Sequence, residues 1–298
     1  MFKNDGYGSF GGLAKQSYKL EEADLVIVGI PYEGGTAGKK GTSNTPSNLR
    51  VMSTDFQTMS RRGIDLSDLK IKDVGNVPTY PLDEAKTRQS IKNSINFLLE
   101  STIAPVICIG GDHSIAFPEM QAYSKLGKIG VVWIDAHRDL LDELYGSKYS
   151  HGSPLRRAIE EEYILPENVL LIGTRYMTSS ETHFLEENNI SELKMVDIEE
   201  TSDVRYEIKS RIEELAKRVD HIFLSIDIDG IDPAFAPGTG YPVAGGLTSS
   251  LILNIIHDVP VPIRGIDIVE VSPLLDPSGI TQKLLMAIIT ELCAKIKP

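Results

Sequence analysis

Short runs of apolar and β-branched residues alternate along the chain with longer segments whose apolar residues recur at helical spacing. The short runs predict eight β-strands, at 24–30, 69–75, 105–110, 129–135, 169–174, 193–198, 222–228 and 264–271. The longer segments predict helices at 82–101, 203–218, 248–258 and 279–296. Strands that are apolar almost throughout must be covered on both faces. The pattern therefore predicts an α/β fold, in which a mostly parallel sheet lies between two layers of helices.

Composition adds only broad limits to this picture. The 298 residues are 41% hydrophobic, and no low-complexity tract or composition break suggests a linker, so we expect one domain over 1–298. The net charge of −12 argues against nucleic-acid binding. We expect no membrane partner, because residues 1–10 lack a signal-peptide pattern and no run has the roughly 20 apolar residues of a spanning helix. Two cysteines are too few for a disulfide framework, which favours a cytoplasmic protein.

Three of the predicted strands end in clusters of acids and histidines. The sequences at these ends are GGDHS at 110–114, DAHRD at 135–139 and SIDIDGIDP at 225–233. Alternate side chains of an extended chain share a face, so we expect Asp135, His137 and Asp139 to converge, and likewise Asp227 and Asp229. Each motif alone is typical of a loop contact or a helix cap. Their joint occurrence where functional sites of parallel sheets lie indicates a metal site.

The candidate ligands are four carboxylates and two imidazoles: His113, Asp135, His137, Asp139, Asp227 and Asp229. Four negative charges nearly balance two divalent cations, and two such ions can share a hydroxide. A donor set rich in carboxylate and without thiolate suits Mn²⁺ better than structural Zn²⁺, although Co²⁺, Ni²⁺ and Fe²⁺ remain alternatives. Asp232 precedes Pro233, and we expect it to hold the loop rather than a metal.

The three motifs, in this order and at these separations, resemble those of the ureohydrolases, the family of arginase and agmatinase. The resemblance extends from VGIPYEGGT at 28–36 to IVEVSP at 268–273. It implies a three-layer arginase-type fold around an eight-stranded parallel sheet and two Mn²⁺ ions per subunit. Position by position, it implies the same six ligands. It also implies a homo-oligomer, either a trimer or a hexamer.

Two further positions match roles in that family. His151, in YSHGSPLRRA, resembles the histidine that assists protonation of the leaving amine, a step that imidazole can perform near neutral pH. Glu270, in IDIVEVSP, resembles the glutamate that receives the guanidinium. Asp139 or a neighbouring ligand would accept the proton of the attacking water. We interpret His183, His221 and His257 as structural or surface residues, and Asp267 as a member of a buried ion pair.

The reaction that the resemblance implies is hydrolysis of a small cationic guanidine by a metal-bound hydroxide. Agmatine, giving urea and the polyamine putrescine, is the first choice, because SHGSPLRRAIEE at 150–161 and DGIDPAFAPGTG at 229–240 are similar to agmatinase. The segment at 140–150 also lacks the asparagine typical of arginases. Guanidinobutyrate or a related guanidine is the runner-up, followed by arginase activity. Formimidoylglutamase activity is less favoured, because that enzyme generally departs from the PGTG pattern.

Three features depart from the agmatinase pattern. Arg138 replaces a small residue, and alternation would turn it away from the ions. Tyr241 replaces a threonine beside the pocket and would narrow it, and 38–50 lacks the usual Gly-Pro pattern. A catalytically inactive metal-binding homologue is therefore one alternative. A deacylase of the related deacetylase group is another, but such enzymes typically use one Zn²⁺ and a different ligand set.

Overall fold

A computed structural model of the chain describes residues 2–3, 9–11, 18–55, 57–260 and 262–297. Residues 1–10, which we expect not to form a signal peptide, lie largely outside the described residues. The predicted strands form one eight-stranded sheet in which every pairing is parallel. The strands are β1 (Leu25–Gly29), β2 (Ile71–Asn76), β3 (Val106–Ile109), β4 (Ile129–Ile134), β5 (Val169–Thr174), β6 (Ser191–Lys194), β7 (His221–Asp227) and β8 (Ile263–Val269).

Nine α-helices accompany the sheet within the described ranges. They are α1 (Thr45–Met52), α2 (Glu84–Ser101), α3 (Ala116–Tyr123), α4 (Pro154–Glu160), α5 (Ser179–Glu187), α6 (Met195–Glu200), α7 (Val204–Ala216), α8 (Ser249–Asp258) and α9 (Ile280–Ile296). The four predicted helices correspond to α2, α7, α8 and α9. Each begins one or two residues later than predicted. For α2, α7 and α8 the preceding residue, Asp83, Asp203 or Thr248, accepts a capping hydrogen bond instead, and α9 is preceded by Gly279 in a left-handed conformation.

Two hydrophobic cores cover the two faces of the sheet. On one face, α7, α8 and α9 pack against alternate strand residues such as Ile226 and Ile268. On the other, α2, α3 and α4 pack against the intervening positions, such as Trp133 and Phe223. Since strands such as β1, β3, β4 and β5 are buried on both sides, the layers follow from the strand sequences. The predicted three-layer α/β/α fold around an eight-stranded parallel sheet is confirmed.

Two local predictions are wrong. The strand expected over 193–198 ends at Lys194, and Met195–Glu200 is the helix α6. Met195 and Ile198 then point to the same core, three residues apart, which is helical rather than extended spacing. Leu82, expected on the buried face of a helix at 82–101, lies before α2 and is fully exposed.

The order of strands in the sheet is β2-β1-β3-β8-β7-β4-β5-β6. The four strands that precede the candidate site residues, β3, β8, β7 and β4, are consequently adjacent at its centre. Their carboxyl ends lie side by side, where parallel sheets place their sites. In the described part of the chain, no helix has the length and apolar character needed to cross a membrane. The single domain over 1–298 stays a prediction.

Candidate metal centre

The six predicted ligands lie at the carboxyl ends of three adjacent or nearly adjacent strands. His113 is in a 3-10 turn, His113–Ile115, after β3. Asp227 is the last residue of β7, and Asp229 is in the following 3-10 turn, Ile228–Gly230. The segment 135–139 follows β4 as an irregular loop, and its last residue, Asp139, has a positive φ of 56°. These side chains therefore do not converge by alternating along extended strands, as expected. The turns and the loop that follow the strands bring them together.

His113 lies at the centre of one half of the cluster. Its Nδ1 atom is 3.2 Å from Asp135 Oδ2, 3.0 Å from Asp139 Oδ2 and 3.1 Å from Asp227 Oδ2. Despite these short distances, Nδ1 makes no well-directed hydrogen bond, although it is fully buried. A buried nitrogen that faces three carboxylate oxygens has the surroundings of a metal ligand.

His137 organises the other half of the cluster. Its Nδ1 atom is 3.1 Å from Asp229 Oδ2 and 3.4 Å from Asp135 Oδ1. Two groups of three residues have donor atoms close enough to hold a metal ion: His113, Asp135 and Asp227, and then Asp135, His137 and Asp229. Asp135 belongs to both groups, so its two oxygens can serve two neighbouring ions. The donor set thus fits a pair of divalent cations.

Neighbouring residues fix the orientation of His113. Its Nε2 atom is 2.8 Å from Ser225 Oγ, which leaves Nδ1 directed at the acids. Its ring stacks on the Trp133 indole, with ring centres 4.1 Å apart and an angle of 7°. Trp133 Nε1 in turn donates to Asp135 Oδ2 at 3.0 Å. The ligands are held by hydrogen bonds that do not depend on an ion, as is usual around metal sites.

Burial and mutual repulsion perturb the pKa values of the acids. Burial, together with the charges of Asp229 and Asp135, raises the pKa of Asp227 well above its ordinary value. Burial and the charge of Asp135 also raise the pKa of Asp139, to about 7. Burial opposes the charged form of His113, but contacts with surrounding acids outweigh it and raise its pKa. These shifts show that the cluster is short of positive charge.

His151 and Glu270 lie together beside the cluster. His151 Nδ1 is 3.0 Å from Glu270 Oε1, which also accepts a hydrogen bond from the backbone N–H of His113 at 3.0 Å. Glu270 directly follows β8 and has a positive φ of 59°, a conformation that is strained for a residue with a side chain. Burial opposes protonation of His151, but the hydrogen bond to Glu270 and the charges of Glu270 and Asp112 raise its pKa to about 9.

A cavity of about 260 Å³ opens above these groups. It is lined by His151, Glu270 and ligands of the cluster, and farther out by Tyr176, Glu181 and Tyr241. Tyr241 is 42% exposed, and its ring centre is 5.5 Å from that of His151 and 6.3 Å from that of His137. Tyr241 therefore forms part of the rim, where the sequence analysis expected it to narrow the pocket.

Several residues that hold the site together are not predicted by the sequence motifs. Arg175 donates to the carbonyl oxygens of Asp229 at 2.7 Å and Val243 at 2.6 Å, which fixes the turn after β7. Asp112 Oδ2 accepts from the backbone N–H of Gly35 at 2.7 Å and so holds the loop that passes His151. Ser225 and Trp133 could have been found by alternation, because each is two residues before an acidic ligand.

The remaining predictions about single residues have clear outcomes. Asp232 holds its loop as expected, since it accepts from the N–H groups of Ala234 at 2.9 Å and Gly245 at 2.7 Å. His183 is exposed and His257 contacts Glu291, which agrees with surface and structural roles. Asp267 forms no ion pair with any described residue, so that expectation is wrong. It lies instead within β8 and is fully buried.

Comparison with known proteins decides the family. The sequence model of the arginase family matches residues 23–294. The chain belongs to the arginase family. It is 32% identical to the guanidinobutyrase of Pseudomonas aeruginosa over 290 residues, which is 92% of this chain and 89% of that protein. It is 32% identical to the agmatinase of Bacillus subtilis over 277 residues, covering 91% of each chain.

A solved structure of the same family shows the same architecture. The proclavaminate amidinohydrolase of Streptomyces clavuligerus superimposes with a TM-score of 0.86 and 29% identity, over 97% of this chain and 96% of that one. This arginase-family protein is accordingly an amidinohydrolase, a hydrolase acting on C–N bonds. The family is metal-dependent, which agrees with the two groups of donor atoms around Asp135.

Proposed function

We propose that the protein hydrolyses agmatine to urea and putrescine with two Mn²⁺ ions. The observation that carries this proposal is the pair of three-residue donor groups that share the buried Asp135 and whose other members, His113, Asp227, His137 and Asp229, line the cavity. The ions would be held by His113, Asp135, His137, Asp139, Asp227 and Asp229. Mn²⁺ is the proposed metal because the donors are oxygen and imidazole nitrogen, and both cysteines are buried outside the cluster. Two such ions would supply an activated water at neutral pH and would stabilise the tetrahedral intermediate formed at the guanidinium carbon.

The chain's own residues provide positioning and proton transfer. The Glu270 carboxylate faces the cavity and is held by the backbone of His113, so it can fix a guanidinium above the cluster. Asp139 lines the same cavity and accepts a proton from the attacking water. His151, kept protonated by Glu270, donates a proton to the departing amine. Without that proton, the amine would be a poor leaving group.

The outer part of the cavity supports a substrate with a cationic tail. Among the described lining residues there is no lysine or arginine, whereas Glu181 and the hydroxyl-bearing Tyr176 and Tyr241 are present. An amine tail such as that of agmatine can interact with a carboxylate and with aromatic faces. A carboxylate tail would find no cation on this wall. This difference favours agmatine over guanidino acids.

Guanidinobutyrate is the second candidate, and a specific observation favours it. Lys39 and Lys40 are exposed and directly follow Gly38, which packs so closely on Tyr241 that an added Cβ would lie 2.4 Å from its ring. Lys39 and Lys40 therefore directly follow, in the chain, a residue that contacts the rim of the cavity. From there they could attract a carboxylate tail. The similarity to the guanidinobutyrase of P. aeruginosa points the same way.

The test is release of urea by Mn²⁺-loaded protein from agmatine, guanidinobutyrate and arginine in parallel. We expect kcat/KM to be highest for agmatine. Higher kcat/KM for guanidinobutyrate would select the second candidate, and no urea from any guanidine would overturn the proposed function. The controls are His151→Asn and Glu270→Gln, each expected to lower turnover by about 100-fold or more. Near-wild-type turnover in both would contradict the assigned roles.

The setting of the enzyme is also part of the proposal. We propose that it acts in the cytoplasm as a homo-oligomer, a trimer or a hexamer, on a small cationic guanidine. Neither a nucleic acid nor a membrane is an expected partner. Light scattering of the purified protein measures the oligomer size directly.

A further inference from the structure

Arg138 occupies the position between two candidate ligands, His137 and Asp139, and its side chain points away from them. The guanidinium forms a bidentate ion pair with Glu192, with Nε 2.7 Å from Oε1 and Nη2 2.8 Å from Oε2. Its Nη1 atom also donates to Thr182 Oγ1 at 2.7 Å. The side chains of Arg138 and Glu192 are only 3% and 6% exposed, so this ion pair is largely buried.

The two partners of Arg138 connect it to three regular elements. Glu192 is in β6, and its Oε1 atom also accepts from the Thr174 hydroxyl of β5 at 2.7 Å. Thr182 is in α5 and donates its own hydroxyl proton to the carbonyl of Thr178 at 3.0 Å. Every polar atom in this chain of contacts has a partner. Arg138 is thus fixed to a rigid frame on the outer side of the loop.

The loop that carries the ligands needs such a frame. Residues 135–139 have no regular secondary structure, and Asp139 adopts a left-handed conformation with φ of 56°. A residue with a side chain keeps this conformation only where its surroundings impose it. Arg138 immediately precedes Asp139. Its planar guanidinium is held by one side chain of β6 and one side chain of α5.

We propose that Arg138 is a positioning residue, whose buried pair with Glu192 holds His137 and Asp139 in the geometry that binds the two ions. This inference rests on the proposed function. His137 and Asp139 serve opposite halves of the cluster, because one lies against Asp229 and the other against His113. Loosening Arg138 therefore weakens both metal sites. The pair also keeps the positive charge of Arg138 neutralised and directed away from the ions.

The test measures Mn²⁺ affinity by isothermal titration calorimetry in R138M/E192Q, which removes both charges, and in R138K. Lysine keeps the charge but cannot form the two-pronged pair. We expect both variants to bind Mn²⁺ about 10-fold to 100-fold more weakly than the wild type, the usual effect of losing a residue that supports metal ligands. If R138M/E192Q does not fold, R138K decides the outcome.

The matched control is R50M/D73N. Arg50 and Asp73 form a buried bidentate pair with distances of 2.8 and 2.9 Å, but they lie in α1 and β2, at the opposite edge of the sheet from β6. We expect its Mn²⁺ affinity to equal that of the wild type. Equal affinity in the Arg138 variants, or equal weakening in the control, would overturn the inference. A wild-type protein that binds no Mn²⁺ would overturn the proposed function as well.

Discussion

Two groups of buried acids lie near the same sheet edge, and their partners differ. Asp139, Asp227 and Asp229 face a cavity, and together with Asp135 they contact the imidazoles of His113 and His137. Glu119 and Asp267 lie behind them, fully buried, on α3 and β8. Among the described residues, no side chain makes a well-formed hydrogen bond to either of these two carboxylates. The weak donor beside Glu119 is the thiol of Cys108.

The same physical effect acts on both groups with different results. Burial and the charge of Asp267 raise the pKa of Glu119 well above its ordinary value, and burial raises the pKa of Asp267 to about 6. Burial therefore favours the protonated, uncharged form of both carboxyl groups. The acids at the cavity have imidazoles and room for cations. We conclude that buried acids indicate a metal site only where donor atoms converge and a cavity gives access.

The largest expected effect is the loss of metal binding on changing an acid at the cavity. In the wild type, Asp227 Oδ1 accepts a hydrogen bond from the backbone N–H of Asp229 at 2.8 Å. Asp227→Asn keeps an oxygen that can accept this bond, so we expect the fold to be retained. It removes a charged donor of the His113 half, so Mn²⁺ affinity should fall by more than about 100-fold. Calorimetric titration with Mn²⁺ measures this. Asp232→Asn, in an acid that only holds a loop, is the control, and unchanged affinity in Asp227→Asn would contradict the assignment.

The second expected effect is on the titration of His151 in the metal-free protein. Its pKa is raised from 6.5 to about 9, so the pair with Glu270 stabilises the fold fully below about pH 6.5, and this contribution is lost as the pH rises through 9. Nuclear magnetic resonance of the imidazole should give a pKa near 9. In Glu270→Gln it should return toward 6.5. The exposed His183 is an internal reference, and an unchanged pKa of His151 in Glu270→Gln would refute the pairing.

The smallest expected effect concerns Glu119, one of the two buried acids that lie behind the cavity. Because the pKa of Glu119 is raised on folding, the wild type loses stability as the pH rises above about 4.5, the ordinary glutamate value. Glu119→Leu should therefore increase the free energy of unfolding by about 1–3 kcal/mol at pH 8, and by less at pH 5. Denaturant unfolding at both pH values measures this.

The control for Glu119→Leu is Glu291→Leu. Glu291 is equally buried, but its oxygens contact His257 at 2.5 Å and the backbone N–H of Arg61 at 2.9 Å. Removing a partnered acid leaves its donors unsatisfied, so this variant should be destabilised at both pH values. If Glu119→Leu is less stable than the wild type at pH 8, the Glu119 carboxylate does have hydrogen-bond donors, and the prediction is wrong.

The sequence by itself determined the layers of the fold and which acids and histidines converge beside the cavity. Apolar strands such as Val26–Val28 and Val131–Trp133 can be buried only between two layers of helices, whatever the strand order. The motifs at 110–114, 135–139 and 225–233 contain the five residues of the two donor groups and also Asp139, which contacts His113. The local sequence pattern was sufficient to predict both, because the type of a residue and the end of a strand can be read from a few neighbouring residues.

Tertiary structure decided the strand order, the geometry of the ligand loop and the partners of isolated charges. Placing β8 and β7 between β3 and β4 puts His113 against Asp227 and Asp139, which are far apart in sequence. The pairing of Arg138 with Glu192, and the isolation of Glu119 and Asp267 in the core, depend on contacts between separate elements. No local pattern contains these contacts, because the pleat and the helical repeat fix only which face a side chain occupies.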